Sequence, residues 1–315
     1  MQTNKKLISV VVPCYNEEEN VEAMCLTLKK IFEELGKYAY EIIFIDNASE
    51  DNTVKILKKI ARDDKNVKLI VNTRNFGLRS SHHALLQTTG DAVIYLFCDF
   101  QEPPEMIKEF LKEWENGYKI VVGVKKNSEE SKIMFLIKKI FYNLLDKISE
   151  IKLIKNFLGF GLYDKKVIEV LHKIDDPYPY FRGLICEIGY EIKRIEYIQS
   201  KRKRGISKNN FYTLYDMAML GIINHSKVPL RLATMIGFGM GTLSLLISII
   251  YFILKLLLWY SYPIGLAPLL IGIFFFTSVQ LFFIGIIGEY IGAIYTQVHK
   301  RPLVIEKERI NFKEK

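Results

Sequence analysis

Leu7-Ile8-Ser9-Val10-Val11-Val12-Pro13-Cys14-Tyr15-Asn16-Glu17-Glu18 decides the fold of the first half of this chain. The run at 7–12 is apolar and β-branched. It suits a buried strand and is too short for a secretory leader, with charged residues following at once. From 18 to 35 the apolar residues recur at helical spacing. The same unit then repeats, with strands at 41–45, 67–71, 92–97 and 120–124 and helices at 53–61, 80–87 and 105–115. Strands alternating with helices predict βαβ units, hence an α/β domain with a mainly parallel sheet. Ligands of such sheets bind at the carboxyl ends of the strands, here just after Val12, Ile45, Val71 and Phe97.

Two of those ends carry residues suited to a nucleotide. Asp46-Asn47-Ala48-Ser49-Glu50-Asp51 follows the second strand. An aspartate there can accept from a base N–H or a ribose hydroxyl, with a helix N-terminus beyond it that favours anions. It can equally be a helix cap. The fourth strand runs into Phe97-Cys98-Asp99-Phe100-Gln101-Glu102-Pro103-Pro104-Glu105. Asp99 is placed to hold a divalent ion, because Mg²⁺ takes one or two carboxylates and completes its shell with phosphate oxygens. Such an ion would stabilise a leaving nucleoside diphosphate. The tandem prolines force an extended exit and start the next helix near Glu105. His82 and His83 have no partner at metal spacing and read as structural or pocket-lining. Cys14, Cys25, Cys98 and Cys186 also lack metal spacing and read as reduced cytosolic thiols.

Half of the 315 residues are hydrophobic and a quarter are charged, and the two kinds are segregated. No charge occurs at 232–254 or at 256–288, and each stretch exceeds the roughly 20 residues that span a bilayer core. Two transmembrane helices are expected over 231–298, with Lys255 snorkelling between them. Trp259, Tyr260 and Tyr262 fall where an outer aromatic belt would be. Lys201, Arg202, Lys203, Arg204, Lys208, Lys227 and Arg231 precede the first span, and Lys300, Arg301, Lys307 and Arg309 follow the second. The positive-inside rule then puts the catalytic domain and both termini in the cytoplasm of a multi-pass inner-membrane protein. The net charge of +9 suits anionic lipid and phosphorylated substrates. No nucleic-acid-binding motif accompanies it, so nucleic acid is not expected as a partner. Residues 131–149 form an amphipathic helix, for the domain surface or the membrane interface, and 211–229 a second one beside the first span. Glu289, at the end of the second span, is expected at the interface, paired with a juxtamembrane base. Gly237, Gly239, Gly241, Gly285, Gly288 and Gly292 allow close helix packing, within the chain or in a homo-oligomer. The expected organisation is a catalytic domain at 1–200, a basic loop and juxtamembrane helix at 201–230, the spans at 231–298 and a cytoplasmic tail at 299–315.

Taken together these segments resemble family 2 glycosyltransferases of the GT-A fold, in the branch of polyprenyl-phosphate hexose transferases that includes dolichyl-phosphate mannose synthase. The resemblance rests on Val11 to Glu18, Phe44-Ile45-Asp46-Asn47-Ala48-Ser49, Arg74-Asn75-Phe76-Gly77, Asp99 to Glu105 and Phe181-Arg182-Gly183. It continues through the basic loop from Arg202 to Lys208, Gly288-Glu289-Tyr290-Ile291-Gly292, Tyr295 and Lys300-Arg301-Pro302. It spans almost the whole chain in order, which makes it more specific than any single motif. It implies that Pro13, Tyr15, Glu17, Asp46 and Asn47 surround the base and ribose of a UDP- or GDP-sugar. Asp99 and Gln101 would hold Mg²⁺ or Mn²⁺ on the donor diphosphate, and Asp99 and Arg182 would be catalytic. Arg202, Arg204, Ser207 and Lys208 would bind phosphate of the donor or of a polyprenyl phosphate acceptor. Transfer would invert the anomeric carbon.

The chain departs from the family pattern at three places. Phe97 replaces the first acid of the metal motif. Asp46-Asn47-Ala48-Ser49 stands where Asp-Asp-Gly-Ser is usual. Leu158-Gly159-Phe160-Gly161-Leu162 stands where Gly-Asp-Phe-Arg-Leu is common, without its Asp and Arg. A sugar hydroxyl needs a general base, whereas a polyprenyl phosphate is already anionic. The expected reaction is therefore hexosyl transfer, glucose by default, onto a polyprenyl phosphate. A membrane-bound glycan acceptor and a catalytically degenerate scaffold are the alternatives.

Overall fold

The computed structural model describes residues 5–126, 153–174, 176, 179–200, 228–258, 266–298 and 302–312. The expected helix at 131–149, the basic loop and most of the juxtamembrane helix lie outside the described residues. The predicted alternation is realised. Strands β1 (Leu7–Cys14), β2 (Ala39–Asp46), β3 (Val67–Asn72), β4 (Ala92–Tyr95) and β5 (Ile120–Lys125) alternate with helices α1 (Val21–Leu35), α2 (Thr53–Asp63), α3 (Leu78–Leu85) and α4 (Ile107–Glu115). Then come β6 (Gly161–Asp164), α5 (Lys165–Lys173), α6 (Phe181–Glu187), β7 (Ile192–Tyr197), α7 (Val228–Leu257), α8 (Leu266–Val298) and β8 (Glu306–Ile310).

One sheet takes all eight strands in the order β7-β5-β6-β4-β1-β2-β3-β8. The ladders β4–β1, β1–β2, β2–β3 and β5–β7 are parallel. Both faces are covered, which explains the continuous apolar runs in the sequence. Val10, Val12, Ile42 and Phe44 face Met24, Leu28, Leu57 and Phe110 of α1, α2 and α4. Their neighbours Val11, Ile43 and Ile45 face Leu85, Val167 and Leu184 of α3, α5 and α6. The chain winds outward from β1 through β2 to β3, then returns to lay β4 on the other side of β1. That reversal opens a crevice at the carboxyl ends of β1 and β4, the usual ligand position in an open α/β sheet.

Two strands break the parallel pattern. β6 inserts antiparallel between β4 and β5. A Cβ at Gly161 would lie 2.5 Å from the Val121 carbonyl oxygen, so only glycine lets these backbones meet. β8, which the sequence reading left within a tail, returns after α8 and pairs antiparallel with β3, Ile70 opposite Arg309. Side chains fix it there. Asn311 Nδ2 donates to the Val67 carbonyl at 2.8 Å, Thr73 N–H donates to the Ile305 carbonyl at 3.0 Å and Lys58 pairs with Glu308. Glu306 lies 2.6 Å from His83 Nε2 and pairs with Arg309. Burial pushes the Glu306 carboxyl up, but His83 and Arg309 outweigh it and hold it at about 2.

α7 has 30 residues and α8 has 33. Among the described residues one segment, the 21-residue Phe275–Tyr295, is long and apolar enough to cross a membrane, and Val228–Leu243 is a shorter apolar helix. Phe238 and Val298 are 79% and 71% exposed, an arrangement that water would penalise.

Truncation after Pro302, which removes β8, is expected to lower the thermal unfolding midpoint in detergent by several degrees. Glu306 stabilises the fold above its ordinary pKa of about 4.5, and that contribution is lost as pH falls toward about 2. A Glu306→Gln variant should therefore lose stability at pH 7 and show a shallower decline on acidification, measured by calorimetry.

Candidate active site

Each of the three strand ends at the crevice reverses through a non-glycine residue in the left-handed region: Asn16 (φ 56°) after β1, Ala48 (φ 63°) after β2 and Phe100 (φ 57°) after β4. Such residues cost of order 1–3 kcal/mol each and persist where surrounding contacts over-determine them. The first two loops show those contacts. Asn16 N–H donates to Ser49 Oγ at 2.9 Å, Glu17 N–H to Thr53 Oγ1 at 2.9 Å and Glu50 N–H to Asn16 Oδ1 at 2.8 Å. The register places Pro13 beside Ile45 and Cys14 beside Asp46. Pro13, Tyr15, Glu17 and Asp46 thus share one edge.

Asp46 is fully buried, and its carboxylate accepts from Ser49 N–H at 3.0 Å and from the Ser49 hydroxyl. Burial nonetheless raises its pKa. The Glu17 carboxylate accepts from Asn20 Nδ2 at 2.6 Å. Asn47 serves the protein: its amide nitrogen donates to Asn75 Oδ1 at 2.9 Å and to the Gly77 carbonyl at 3.3 Å. Its oxygen accepts from Asn72 Nδ2 at 3.1 Å and Phe76 N–H at 2.9 Å. All four hydrogen-bonding positions of the amide are taken by the loop Arg74-Asn75-Phe76-Gly77 and by β3. An aspartate in this place would have nothing to donate, so the two hydrogen bonds from the Asn47 nitrogen would be lost.

Across the crevice, Asp99 Oδ1 accepts from Gln101 N–H at 3.2 Å. The turn is stapled to the exit of β7. Gln199 Nε2 donates to Gln101 Oε1 at 3.2 Å, Ser200 N–H donates to the Gln101 carbonyl at 3.2 Å, and the Tyr197 hydroxyl donates to Glu102 Oε1 at 3.4 Å. The Gln199 contact fixes the Gln101 amide by engaging its oxygen, which keeps one further lone pair. Glu102 is buried, and burial first, then the charge of Asp99, raises its pKa to about 7. Sequence reasoning quoted Glu102 within its motif without assigning it a role. The available signal was an acid three residues after Asp99 in a turn closed by two prolines. Among the described residues no group of three His, Cys, Asp or Glu could hold a metal. An ion at Asp99 and Gln101 would therefore need diphosphate oxygens to complete its shell, and these hard oxygen donors suit Mg²⁺ or Mn²⁺. Burial keeps the Cys14 thiol, beside Cys98, well above its ordinary range, as for an inert structural cysteine.

The two remaining departures share one region. The Phe97 ring packs edge-on against Tyr95, with centroids 5.0 Å apart. Gly159 has φ +111°, and a Cβ there would lie 3.0 Å from the Tyr95 ring and 3.6 Å from Phe181. Phe181 also packs on Tyr95 and Tyr163. The Tyr95 and Phe181 rings thus border the space that a side chain at 159 would enter, and Gly161 is fixed by the β5–β6 pairing. Arg182 Nη1 reaches the Phe157 carbonyl at 3.5 Å, and its guanidinium lies over Tyr180 at 5.3 Å. It therefore borders the 157–159 turn. His82 is buried against Phe181 at 6.1 Å, and burial lowers its pKa to about 4. Arg202, Arg204, Ser207 and Lys208 lie outside the described residues.

The sequence model of the family described as Glycosyl transferase family 2 matches residues 9–172, which contain both sides of this crevice. The chain belongs to glycosyltransferase family 2. It is a glycosyltransferase, with the α/β, mostly parallel sheet expected of the GT-A type. The bactoprenol glucosyl transferase of Shigella phage SfX is 34% identical over 96% of this chain and 99% of its own. The prophage bactoprenol glucosyl transferase homolog of Escherichia coli is 33% identical over 95% of this chain and 98% of its own. Among solved structures, mannosyl-3-phosphoglycerate synthase from Rubrobacter xylanophilus matches at 17% identity and a TM-score of 0.46, over 68% of this chain and 71% of that one.

Asn47→Asp is expected to destabilise the protein by about 3 kcal/mol, because two donated hydrogen bonds are lost and a charge is buried. Ala48→Gly is expected to add about 1 kcal/mol by relieving a left-handed alanine. Both are read by thermal unfolding in detergent.

Proposed function

We propose that this glycosyltransferase moves a hexose, glucose by default, from a nucleotide sugar to a polyprenyl phosphate at a membrane surface. The single observation that carries the acceptor is Gly159, whose φ of +111° and 3.0 Å clearance to the Tyr95 ring disfavour a side chain and which has none to serve as a base. An acceptor hydroxyl needs one, and a phosphate monoester does not. Relatives named bactoprenol glucosyl transferase, aligned over nearly the full chain, support the same choice.

In this reading the crevice between β1 and β4 takes the donor. Asp46, buried under Ser49, accepts from the base or ribose once the Ser49 turn gives way to the donor, with Pro13, Tyr15 and Glu17 around it. Asp99 and Gln101 hold Mg²⁺ or Mn²⁺ on the diphosphate, and Arg182 shapes the far side of the pocket. The ion supplies charge neutralisation for the departing nucleoside diphosphate. An acceptor phosphate oxygen forms the new bond to the anomeric carbon while the bond from that carbon to the donor phosphate breaks, with inversion. Arg202, Arg204, Ser207 and Lys208 bind the acceptor phosphate. The Ser200–Gln101 hydrogen bond supports this, since it fixes the chain one residue before the basic loop against the metal turn.

The same reading makes α7 and α8 a transmembrane pair. Residues 192–197 and 306–310 are strands of one sheet, so the chain between them crosses a bilayer an even number of times or not at all. A crossing by Phe275–Tyr295 then requires a second, and α7 is the long apolar helix available for it. The domain and both termini would share the cytoplasmic side.

Purified protein incubated with polyprenyl phosphate, Mg²⁺ or Mn²⁺ and labelled UDP- and GDP-hexoses should place label in the lipid fraction with at least one donor. Asp99→Ala should reduce this by about 10³-fold or more, the scale of losing an electrostatic transition-state contact. No transfer from any donor, or full activity in Asp99→Ala, would refute the assignment. A reporter inserted at 261–264 should be external and one after Lys315 cytoplasmic, and the reverse would refute the topology.

A further inference from the structure

We infer that Glu102 is the second carboxylate of the donor metal site, taking the role that Phe97 vacates. This rests on the proposed donor site and goes beyond it by adding a ligand that neither motif position nor spacing assigns. Glu102 follows Gln101 directly, in the turn that the left-handed Phe100 reverses and that Pro103 leaves in extended conformation. Its residue is only 2% exposed, yet Oε2 has no hydrogen-bond partner among the described residues. The other oxygen accepts one long hydrogen bond, from the Tyr197 hydroxyl. Buried polar atoms are almost always paired, and a half-paired carboxylate is among the costlier exceptions. A cation would resolve it. Glu102 stands three residues after Asp99 in the same turn, so a divalent ion held there would turn the repulsion of two carboxylates into attraction.

The alternative is a purely structural acid that braces Tyr197. A glutamine would do that equally well, because its amide oxygen accepts the same hydroxyl and its nitrogen carries no charge to bury. The two roles therefore separate at Glu102→Gln. Phe97, packed on Tyr95, offers no ligand atom, and Asp99 with Gln101 alone would leave a hard cation with one protein charge. Mg²⁺ sites that bind diphosphates commonly use one or two carboxylates, so Glu102 completes the upper end of that range.

The test is Mn²⁺ binding by full-length protein in detergent, followed by electron paramagnetic resonance in the presence of UDP and, separately, GDP. Wild type, Asp99→Asn, Glu102→Gln and Glu102→Leu are compared, with thermal midpoints recorded in parallel. Glu102→Gln is expected to bind Mn²⁺ about 10-fold more weakly or worse while keeping or raising the metal-free thermal midpoint. Glu102→Leu carries the same expectation and serves if the glutamine variant does not fold. If Asp99→Asn loses Mn²⁺ while both Glu102 variants bind within 2-fold of wild type, Glu102 is a structural brace and this inference is overturned with the donor site intact. Wild type that binds no Mn²⁺ with either nucleotide would overturn the donor-metal reading and this inference together.

Discussion

The parallel ladders of β1 with β2 and β4 are the constraint on which the rest depends. They bring three chain reversals to one edge, and each turns through a non-glycine left-handed residue, which Ala48 and Phe100 intrinsically disfavour and Asn16 tolerates. Asn16, Ala48 and Phe100 are held in place by the buried central strands β1, β2 and β4. The network of Ser49, Thr53 and Asn16 adds to this, as does the saturated amide of Asn47. The polar side chains at this edge are therefore ordered by the fold before any ligand arrives, which is the condition for electrostatic catalysis.

A second closure acts at the outer edge of the sheet. β8 follows α8 and pairs with β3, so the chain re-enters the sheet after the apolar helices. The Gln101–Ser200 contact places one end of that excursion beside the metal turn.

The strand–helix alternation was legible because buried parallel strands read as apolar runs and their helices carry a clear period. The strand-end acids were legible for the same reason, since their positions follow from the topology. β8 was not. Glu306-Lys307-Glu308-Arg309-Ile310 is charged, as an edge strand in water commonly is, and reads as a tail until β3 supplies its partner. β6 was hidden in a glycine-rich stretch whose meaning depends on the Val121 backbone 2.5 Å from the Gly161 Cβ position. Nor could sequence show that Phe97 and Gly159, 62 positions apart, border the same Tyr95 ring, or that the amide of Asn47 turns toward the protein. The basic loop, legible only by resemblance, lies outside the described residues.

The loss at Gly159 is coherent if the nucleophile arrives already ionised. The account's central claim is thus that a phosphate oxygen, not a hydroxyl, receives the sugar. The most direct measurement is ³¹P NMR of the purified lipid product with ¹³C-labelled hexose. The account predicts a phosphodiester signal coupled to the labelled anomeric carbon. Labelled hexose attached through a glycan oxygen, with no coupling to phosphorus, would contradict it.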